Sequence, residues 1–167
     1  SAPDRGTTFR VFWPVLGVGA ANGTAAAAHR PPAPRGQGQT VVLAEDDAYV
    51  RALLVTSLES QGYRVVESPD GPSMIASAQR LGNEASLYVV DVDLPGRSGL
   101  DCLRWLRNQG DRVPAIVITG ANSVGDADPT DLGFRLLNKP FSIEDLARLA
   151  GDMLADRPGE DPQNEKH

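Results

Sequence analysis

The chain has 167 residues, of which 41% are apolar and 23% charged, and its formal net charge is −6. This length and apolar content allow one domain with a buried core, plus extensions. The acidic balance argues against a nucleic-acid-binding protein, because such proteins usually carry a basic face. The single cysteine, Cys102, excludes a disulfide scaffold and a zinc cluster of cysteines, and it favours a reducing compartment.

Membrane-spanning and secretory segments are not expected from the sequence. Apolar runs never reach the roughly eighteen residues needed to cross a bilayer. The first residues, SAPDR, lack the charged region and apolar core of a secretion signal. We therefore predict a cytoplasmic location without membrane contact by this segment, and we expect Cys102 to be a small buried side chain rather than a nucleophile.

Residues 1–14 contain a strand-like stretch. Phe9, Val11 and Trp13 alternate with their neighbours, which is the periodicity of a β-strand. A single strand cannot bury its apolar face alone, so this one is predicted to belong to a larger sheet. The sequence GTTFRV at residues 6–11 resembles the last strand of the ATP-binding domain of histidine kinases. The resemblance implies that residues 1–14 are a remnant of such a domain.

Residues 15–39 are rich in alanine, glycine and proline, and they are predicted to form a disordered linker. Such a composition buries too little apolar surface to offset the entropy of ordering. Within the linker, residues 17–23 (GVGAANG) resemble a dinucleotide-binding loop, but their spacing is off by one and no strand–helix–strand pattern surrounds them. His29 is expected to be a solvated loop residue rather than a ligand or phosphodonor.

Residues 40–157 alternate short apolar runs with amphipathic helical patterns, and residues 158–167 form a charged tail that is expected to be disordered. The predicted strands are 40–44, 63–67, 86–90, 113–118 and 134–137, and the predicted helices are 47–61, 69–81, 99–108 and 142–155. Asp47 and Ser142 are expected to cap the first and last helices. A fourth helix belongs between residues 121 and 132, but Gly, Pro and few helix formers predict a short or irregular segment there.

This alternation predicts an α/β fold with a parallel sheet and right-handed crossovers. Five strands in the flavodoxin-like order 2-1-3-4-5, with about five helices, form a doubly wound sheet. In that order the switch point lies between the first and third strands, where open α/β sheets bind their ligands. A functional site is therefore expected at the carboxyl ends of those two strands.

Polar residues follow four of the predicted strands. Glu45 and Asp46 come after the first strand, and Asp91 comes after the third. Thr119 follows the fourth strand and Lys139 the fifth. Because the carboxyl ends of parallel strands share one edge of the sheet, these side chains are expected to lie together. Three carboxylates, a hydroxyl and an ammonium group are suited to hold a divalent cation and a phosphoryl group.

About 115 residues, from 41 to 154, resemble the receiver domain of two-component response regulators. The matching segments are VVLAEDD at 41–47 followed by Arg51, VVDVDLPG at 89–96 with Gly99, VITG at 117–120, and NKPF at 138–141. The resemblance implies that Asp91 accepts a phosphoryl group from a phosphohistidine. It also implies the fold predicted above from the alternation of strands and helices.

The acidic residues are the predicted metal ligands, for Mg²⁺ or Mn²⁺. Asp46 and Asp91 are expected to bind the ion directly and Glu45 through water, while the backbone carbonyl of Asp93 completes the protein's share. Without an ion, mutual repulsion of the three carboxylates should raise the pKa of at least one of them.

Lys139 and Thr119 are the predicted partners of the phosphoryl oxygens, the first through charge and the second through its hydroxyl. Gly120 leaves room for the group, and Pro95 with Gly96 shapes the turn after Asp91. Receivers commonly have a cis peptide bond where Lys139 here precedes a proline, and the same is expected in this chain.

The predicted switch residues are Thr119, Phe134 and Leu136. Receivers often carry an aromatic residue three positions before the lysine, where it turns inward when the threonine engages the phosphoryl group. Leu136 occupies that position here, and Phe134 faces the same side of the strand, so it is a candidate substitute. We also predict that residues 121–132 become ordered on phosphorylation.

The resemblances together imply the C-terminal receiver of a hybrid histidine kinase. Its partners would be the phosphohistidine domain of a histidine kinase, a histidine phosphotransfer protein, or both. This chain has no nucleotide loop, so ATP use is not expected of it. One alternative is a haloacid-dehalogenase-like phosphatase, in which Asp91 and Asp93 would be nucleophile and general acid. The other is a receiver that docks partners without being phosphorylated.

Overall fold

The computed structural model describes residues 35–120 and 128–155. The predicted kinase strand, most of the predicted linker with His29, residues 121–127 and the charged tail therefore lie outside the described residues. Just before the first strand, Gly36 and Gly38 donate backbone hydrogen bonds to the carbonyls of Gln61 and Gly62, at 2.8 and 2.9 Å. Within the described parts of the chain, no helix has the length and apolar character needed to cross a bilayer.

The strands form one parallel sheet. They are β1 (Thr40–Ala44), β2 (Arg64–Ser68), β3 (Ala85–Asp91), β4 (Ala115–Thr119) and β5 (Phe134–Asn138). Their order in the sheet is β2-β1-β3-β4-β5, with every adjacent pair parallel. The predicted flavodoxin-like order is thus confirmed.

The helices lie between the strands in sequence and cover both faces of the sheet. They are α1 (Ala48–Ser60), α2 (Gly71–Leu81), α3 (Gly99–Asn108), α4 (Pro129–Leu132) and α5 (Ile143–Ala155). A single 3-10 turn, Gly82–Glu84, leads into β3. Two apolar clusters follow from the alternation of side chains along the strands. One packs the sheet against α2 and α3, and the other packs it against α1 and α5.

The central strands are continuous apolar runs because both of their faces are covered. Every residue of β1 and β4 is buried, whereas the edge strands β2 and β5 mix buried and exposed positions. Cys102 is fully buried in the cluster beneath α3, as predicted. Burial raises the pKa of its thiol to about 11, which suits a packing role and not a nucleophile.

Helix boundaries follow from capping side chains. Asp47 accepts hydrogen bonds from the amides of Tyr49 and Val50, at 2.8 and 3.0 Å, and thereby begins α1 as predicted. The predicted start of α2 at residue 69 was early by two positions, because Asp70 is the N-cap and forms a capping box with Ser73. The amide of Asp145 donates to the Ser142 hydroxyl at 3.1 Å, so Ser142 begins α5 as expected.

β3 begins one residue earlier than predicted, β2 to β5 each end one residue later, and two strands begin later than predicted. β2 begins at Arg64 rather than at Tyr63, because the amide of Tyr63 still bonds the Leu58 carbonyl at the end of α1. β4 begins at Ala115 rather than at Val113, since the amide of Val113 donates to the Asp111 carboxylate and the proline that follows has no amide hydrogen.

The fourth helix is a single turn, which confirms the prediction of a short element. Asp128 caps it by accepting from the Thr130 amide at 2.7 Å, and Gly133, at φ +61°, ends it. Its own backbone contacts are long: the amide of Leu132 is 3.3 Å from the Asp128 carbonyl, and that of Gly133 is 3.4 Å from the Thr130 carbonyl. α4 is also attached to neighbouring elements.

Arg107 of α3 supplies one such attachment. Its guanidinium donates to the carbonyls of Leu132 and Val113, at 2.8 and 2.6 Å, and it forms an ion pair with Asp111 at 3.1 Å. Asp111 in turn accepts the hydroxyl of Tyr88 at 2.6 Å. This network joins β3, α3 and α4 near the amino ends of β4 and β5.

Candidate metal and phosphoryl site

Three carboxylates meet at the carboxyl ends of β1 and β3, the switch point of the sheet. The register pairs Ala44 with Val90, so Glu45 and Asp91, the next residues on the two strands, lie side by side. One carboxylate oxygen from each of Glu45, Asp46 and Asp91 lies within 4.8 Å of the other two. The structure thus brings together the three acids that the sequence singled out.

The environment of these acids suits a cation. Glu45 is 2% exposed and Asp91 3% exposed, whereas Asp46 faces solvent. Among the described residues, Oε2 of Glu45 is buried without a hydrogen-bond donor. A buried carboxylate oxygen without a partner is costly unless it is protonated or near a cation. The residues therefore fit a hard divalent ion, with Asp46 on the solvent side.

Burial raises the pKa of Glu45 to about 7, and the nearby charge of Asp91 adds to this effect. The amide of Asp47, 3.2 Å from Oε1, and the charge of Lys139 act in the opposite direction. A raised pKa among the three acids was predicted, but its main cause is loss of solvent rather than repulsion. The Glu45 carboxyl group is thus poised between its two protonation states near neutral pH.

Lys139 is the cation of the site. Its ammonium group forms an ion pair with Oδ2 of Asp91 and lies 3.8 Å from Oε2 of Glu45. Burial would lower the pKa of Lys139, but the hydrogen bond and charge of Asp91, followed by the charge of Glu45, raise it overall. The amide of Lys139 donates to the carbonyl of Thr119 at 2.7 Å, and its peptide bond to Pro140 is cis, as expected.

Thr119 ends β4 beside an open space. Its side chain is buried, and its hydroxyl donates to the carbonyl of Gly120 at 2.9 Å. Among the described residues, no atom lies within 4 Å of a Cβ atom added to Gly120. These residues therefore leave room next to Thr119 for a further group, and the Thr119 hydroxyl could exchange its local acceptor for an incoming oxygen.

The loop after β3 is held close to the end of that strand. The amide of Asp93 donates to Oδ1 of Asp91 at 3.1 Å, and Gly96 adopts φ +77° at the turn. The amide of Gly99 donates to the carbonyl of Val92 at 3.0 Å. A Cβ atom at Gly99 would lie 2.1 Å from the backbone oxygen of Asp91, so only glycine fits there. These contacts orient Asp91; the role of the Asp93 carbonyl as a metal ligand stays a prediction.

Two predicted switch residues have different environments. Phe134 is 4% exposed and packs in the apolar cluster beneath α3, whereas Leu136 is 39% exposed. Both belong to β5 and, two residues apart, share one side of the strand. Their participation in a switch with Thr119 stays a prediction.

Arg51 has a contact that sequence reasoning missed. Its guanidinium donates to the backbone carbonyls of Glu45 and Asp46, at 2.7 and 3.2 Å. The residue was noted only as part of the motif that follows the acidic pair. Its position five residues after Asp46, in the second turn of α1, was the available signal, but helical spacing alone does not reveal a contact to backbone atoms.

The response regulator receiver domain family matches residues 41–150, and the chain belongs to this family. A probable transcriptional regulatory protein of Mycobacterium tuberculosis, TcrX, is 34% identical over 66% of this chain and 47% of its own length. The sensor kinase CckA of Brucella abortus is 32% identical over 90% of this chain but only 17% of its own length. The chain thus spans less than half of either relative.

Solved structures agree with the family. The receiver domain of a sensor histidine kinase from Pseudomonas aeruginosa is 30% identical, with a TM-score of 0.61, over 71% of this chain and 98% of its own. That structure has a magnesium ion coordinated in the active-site cleft. The receiver domain of the hybrid histidine kinase CckA is 26% identical, with a TM-score of 0.59, over 69% of this chain and 98% of its own.

Family membership disfavours the phosphatase alternative. That class carries its nucleophile on the first strand of the core, whereas Asp91 ends β3 here. The acids that accompany Asp91 also come before it in the chain, at Glu45 and Asp46. The site is thus assembled in the order that a receiver domain uses.

Proposed function

We propose that this chain is the phosphoacceptor module of a cytoplasmic phosphorelay and takes a phosphoryl group from phosphohistidine onto Asp91. The observation that carries the proposal is the cluster of three carboxylates at the switch point, paired with the Lys139 ammonium group and adjoining open space at Gly120. Glu45, Asp46 and Asp91, with the carbonyl of Asp93, would hold Mg²⁺; Mn²⁺ has the same ligand preferences.

The proposed reaction replaces one phosphorus bond with another. A carboxylate oxygen of Asp91 attacks phosphorus, the bond from phosphorus to the imidazole nitrogen breaks, and that nitrogen keeps the electron pair. Bound Mg²⁺ would neutralise negative charge that otherwise keeps the two anions apart. Lys139 would release Asp91 and follow one phosphoryl oxygen, and the Thr119 hydroxyl would donate to another. The open space at Gly120 would receive the transferred group.

An exposed apolar patch beside the acids supports a protein as the phosphodonor. Tyr49, Val50 and Leu53, on the first turns of α1, are 89%, 36% and 56% exposed. Exposed apolar side chains that cluster in this way mark interaction surfaces. Glu45 and Asp46 directly precede Asp47, which caps the same helix. A protein bound to this patch would therefore lie next to the proposed metal site. Leu54 and Leu58 of the same helix are buried, so the patch lies on the side of α1 that the sheet does not cover.

We further propose that the parent protein is a hybrid histidine kinase with this module at its C-terminus. The support is the match to the Brucella kinase, which covers 90% of the chain and therefore extends beyond the receiver region. Matches to transcriptional regulators such as TcrX favour the competing context, a response regulator with a separate output domain.

Intact-mass measurement after incubation with acetyl phosphate and Mg²⁺ tests the phosphoacceptor role. We expect a phosphate-sized adduct on the wild type and none on the Asp91→Asn variant, because the amide cannot form the acyl phosphate. Omission of Mg²⁺ is the matched control and should abolish the adduct. A wild type that binds its partners but never gains the adduct would favour the docking-only alternative.

A further inference from the structure

We infer that Arg51 is a positioning residue for the metal-binding acids, which it serves by fixing the backbone of the loop that carries Glu45 and Asp46. The inference rests on the proposed function, since it assigns Arg51 to the same site. It concerns a side chain that would touch neither the ion nor the phosphoryl group.

The contacts of Arg51 join three parts of the fold. Nη1 donates to the carbonyls of Glu45 and Asp46, at 2.7 and 3.2 Å, and Nε donates to Oε2 of Glu67 at 3.3 Å. Arg51 belongs to α1, and Glu67 belongs to β2, where it pairs with Leu43 of β1. The Arg51 side chain is 17% exposed, so most of its surface is removed from water.

The two carbonyls belong to the residues whose carboxylates face the predicted ion. A carbonyl held by a donor fixes the plane of its peptide, and that plane sets the direction in which the neighbouring side chains leave the backbone. The planar guanidinium is suited to this task because its donors have fixed directions. Arg51 thus restricts the acids through their main chain and leaves their carboxylate oxygens free for an ion.

Electrostatics explains why the loop needs this support. Three carboxylates within 4.8 Å repel one another when no ion is bound, and the loop could relieve the repulsion by turning one of them outward. On the β2 side, the loop has one backbone bond, from the Glu45 amide to the Ser68 carbonyl at 3.2 Å. The bonds from Arg51 add charge-assisted donors on the helix side, and such bonds are the stronger kind.

The ion pair with Glu67 is the lesser part of the arrangement. The Glu67 side chain is 53% exposed, and exposed ion pairs contribute little free energy. Its role is to hold the guanidinium plane, so its removal should weaken the effect of Arg51 without abolishing it. A graded series of variants follows from this ranking.

Isothermal titration calorimetry with Mg²⁺ measures the effect directly, without phosphorylation. We expect Arg51→Met to raise the Kd for Mg²⁺ by about ten- to a hundred-fold, the usual cost of removing a partner that orients metal ligands. Arg51→Lys should fall between this variant and the wild type, because an ammonium group is a point charge that cannot reproduce the guanidinium's fixed donors. Glu67→Gln should have the smallest effect.

Arg80→Met is the matched control, because it removes the same charge from an exposed position on α2. It should leave the Kd for Mg²⁺ close to the wild-type value. Thermal unfolding in EDTA shows whether each variant still folds. A positioning role predicts a changed Kd for Mg²⁺ in a variant that does. If Arg51→Met does not fold, the comparison of Arg51→Lys and Glu67→Gln with the wild type decides.

Two results would overturn the inference and are distinguishable. The first is a folded Arg51→Met variant whose Kd for Mg²⁺ equals that of Arg80→Met, or an Arg51→Lys variant with the wild-type Kd. Either would show that Arg51 does not position the acids, and the proposed function would be unaffected. A wild type that fails to bind Mg²⁺ at all would overturn the proposed function, and the inference would fall with it.

Discussion

Two properties of the Glu45 side chain oppose each other, since it is buried and yet has to be charged to attract a cation. Without an ion, burial has the larger effect and raises the pKa of Glu45 from its usual value of 4.5 to about 7. Protons and a cation therefore compete for the same oxygens near neutral pH. Solution pH should accordingly change both stability and metal binding.

Between pH 4.5 and about 7, the folded chain keeps a proton on Glu45 that the unfolded chain has released. The free energy of unfolding in EDTA should therefore fall as pH rises through this window, by on the order of 3 kcal/mol, since one pKa unit corresponds to about 1.4 kcal/mol. Urea unfolding at pH 5 and pH 7.5 measures this. The Glu45→Gln side chain cannot titrate, so the free energy of unfolding of this variant should change less between the two pH values. An unchanged pH dependence would mean that another group causes the effect.

Among the elements, α1 carries two sets of side chains to which a function is proposed. Leu54 and Leu58 pack it onto the sheet, Arg51 reaches the acidic loop, and the exposed patch of Tyr49, Val50 and Leu53 faces away from the core. Burying that patch against a partner protein would add hydrophobic stabilisation beside the proposed phosphoryl acceptor.

Leu53→Glu should slow phosphoryl transfer from a phosphorylated histidine phosphotransfer protein by about tenfold or more, since a loss of about 1.4 kcal/mol in docking corresponds to tenfold. Labelling by acetyl phosphate should stay unchanged, because the small donor needs no docking surface. The comparison of the two transfer rates by gel or mass measurement checks this. Gln79→Glu adds the same charge on the exposed side of α2 and is the matched control; an equal loss in both variants would refute the role of the patch.

The short α4 is the element most suited to change with phosphorylation, because it is a single turn and two of the backbone bonds at its end are long, at 3.3 and 3.4 Å. We expect beryllofluoride with Mg²⁺ to increase hydrogen-exchange protection at the Leu132 and Gly133 amides. The Cys102 amide, which is bonded to the Ser98 carbonyl at 3.0 Å within α3, is an internal reference and should not change. Equal protection with and without beryllofluoride would rule out an ordering switch in this element.

For the whole molecule, the fold was predictable because its signals are local and mutually consistent. The continuous apolar runs of β1 and β4 and the caps at Asp47 and Ser142 each mark an element without reference to the others. Strand order then followed from the rules of parallel α/β sheets. The clustering of Glu45, Asp46 and Asp91 followed from that order, since parallel strands end at a common edge.

Other features depend on contacts that are distant in sequence or run to the backbone, and the sequence alone did not reveal them. Tyr88, Asp111 and Arg107 form their network only after β3, the loop before β4 and α3 have come together. Arg51 bonds carbonyl oxygens, which every residue has, so no side-chain pattern announces the contact. The exposure of Leu53 likewise depends on where α1 meets the sheet, which helical spacing does not specify.

Gly99 is a position where mutation should damage the site, although it is not one of the five polar side chains that define it. Any larger residue there would clash with the backbone oxygen of Asp91, whose carboxylate is the proposed phosphoryl acceptor. A genetic screen for lost signalling should therefore recover substitutions at position 99 that leave every ligand and donor in place. Judged by the polar residues alone, such substitutions would wrongly be classed as harmless.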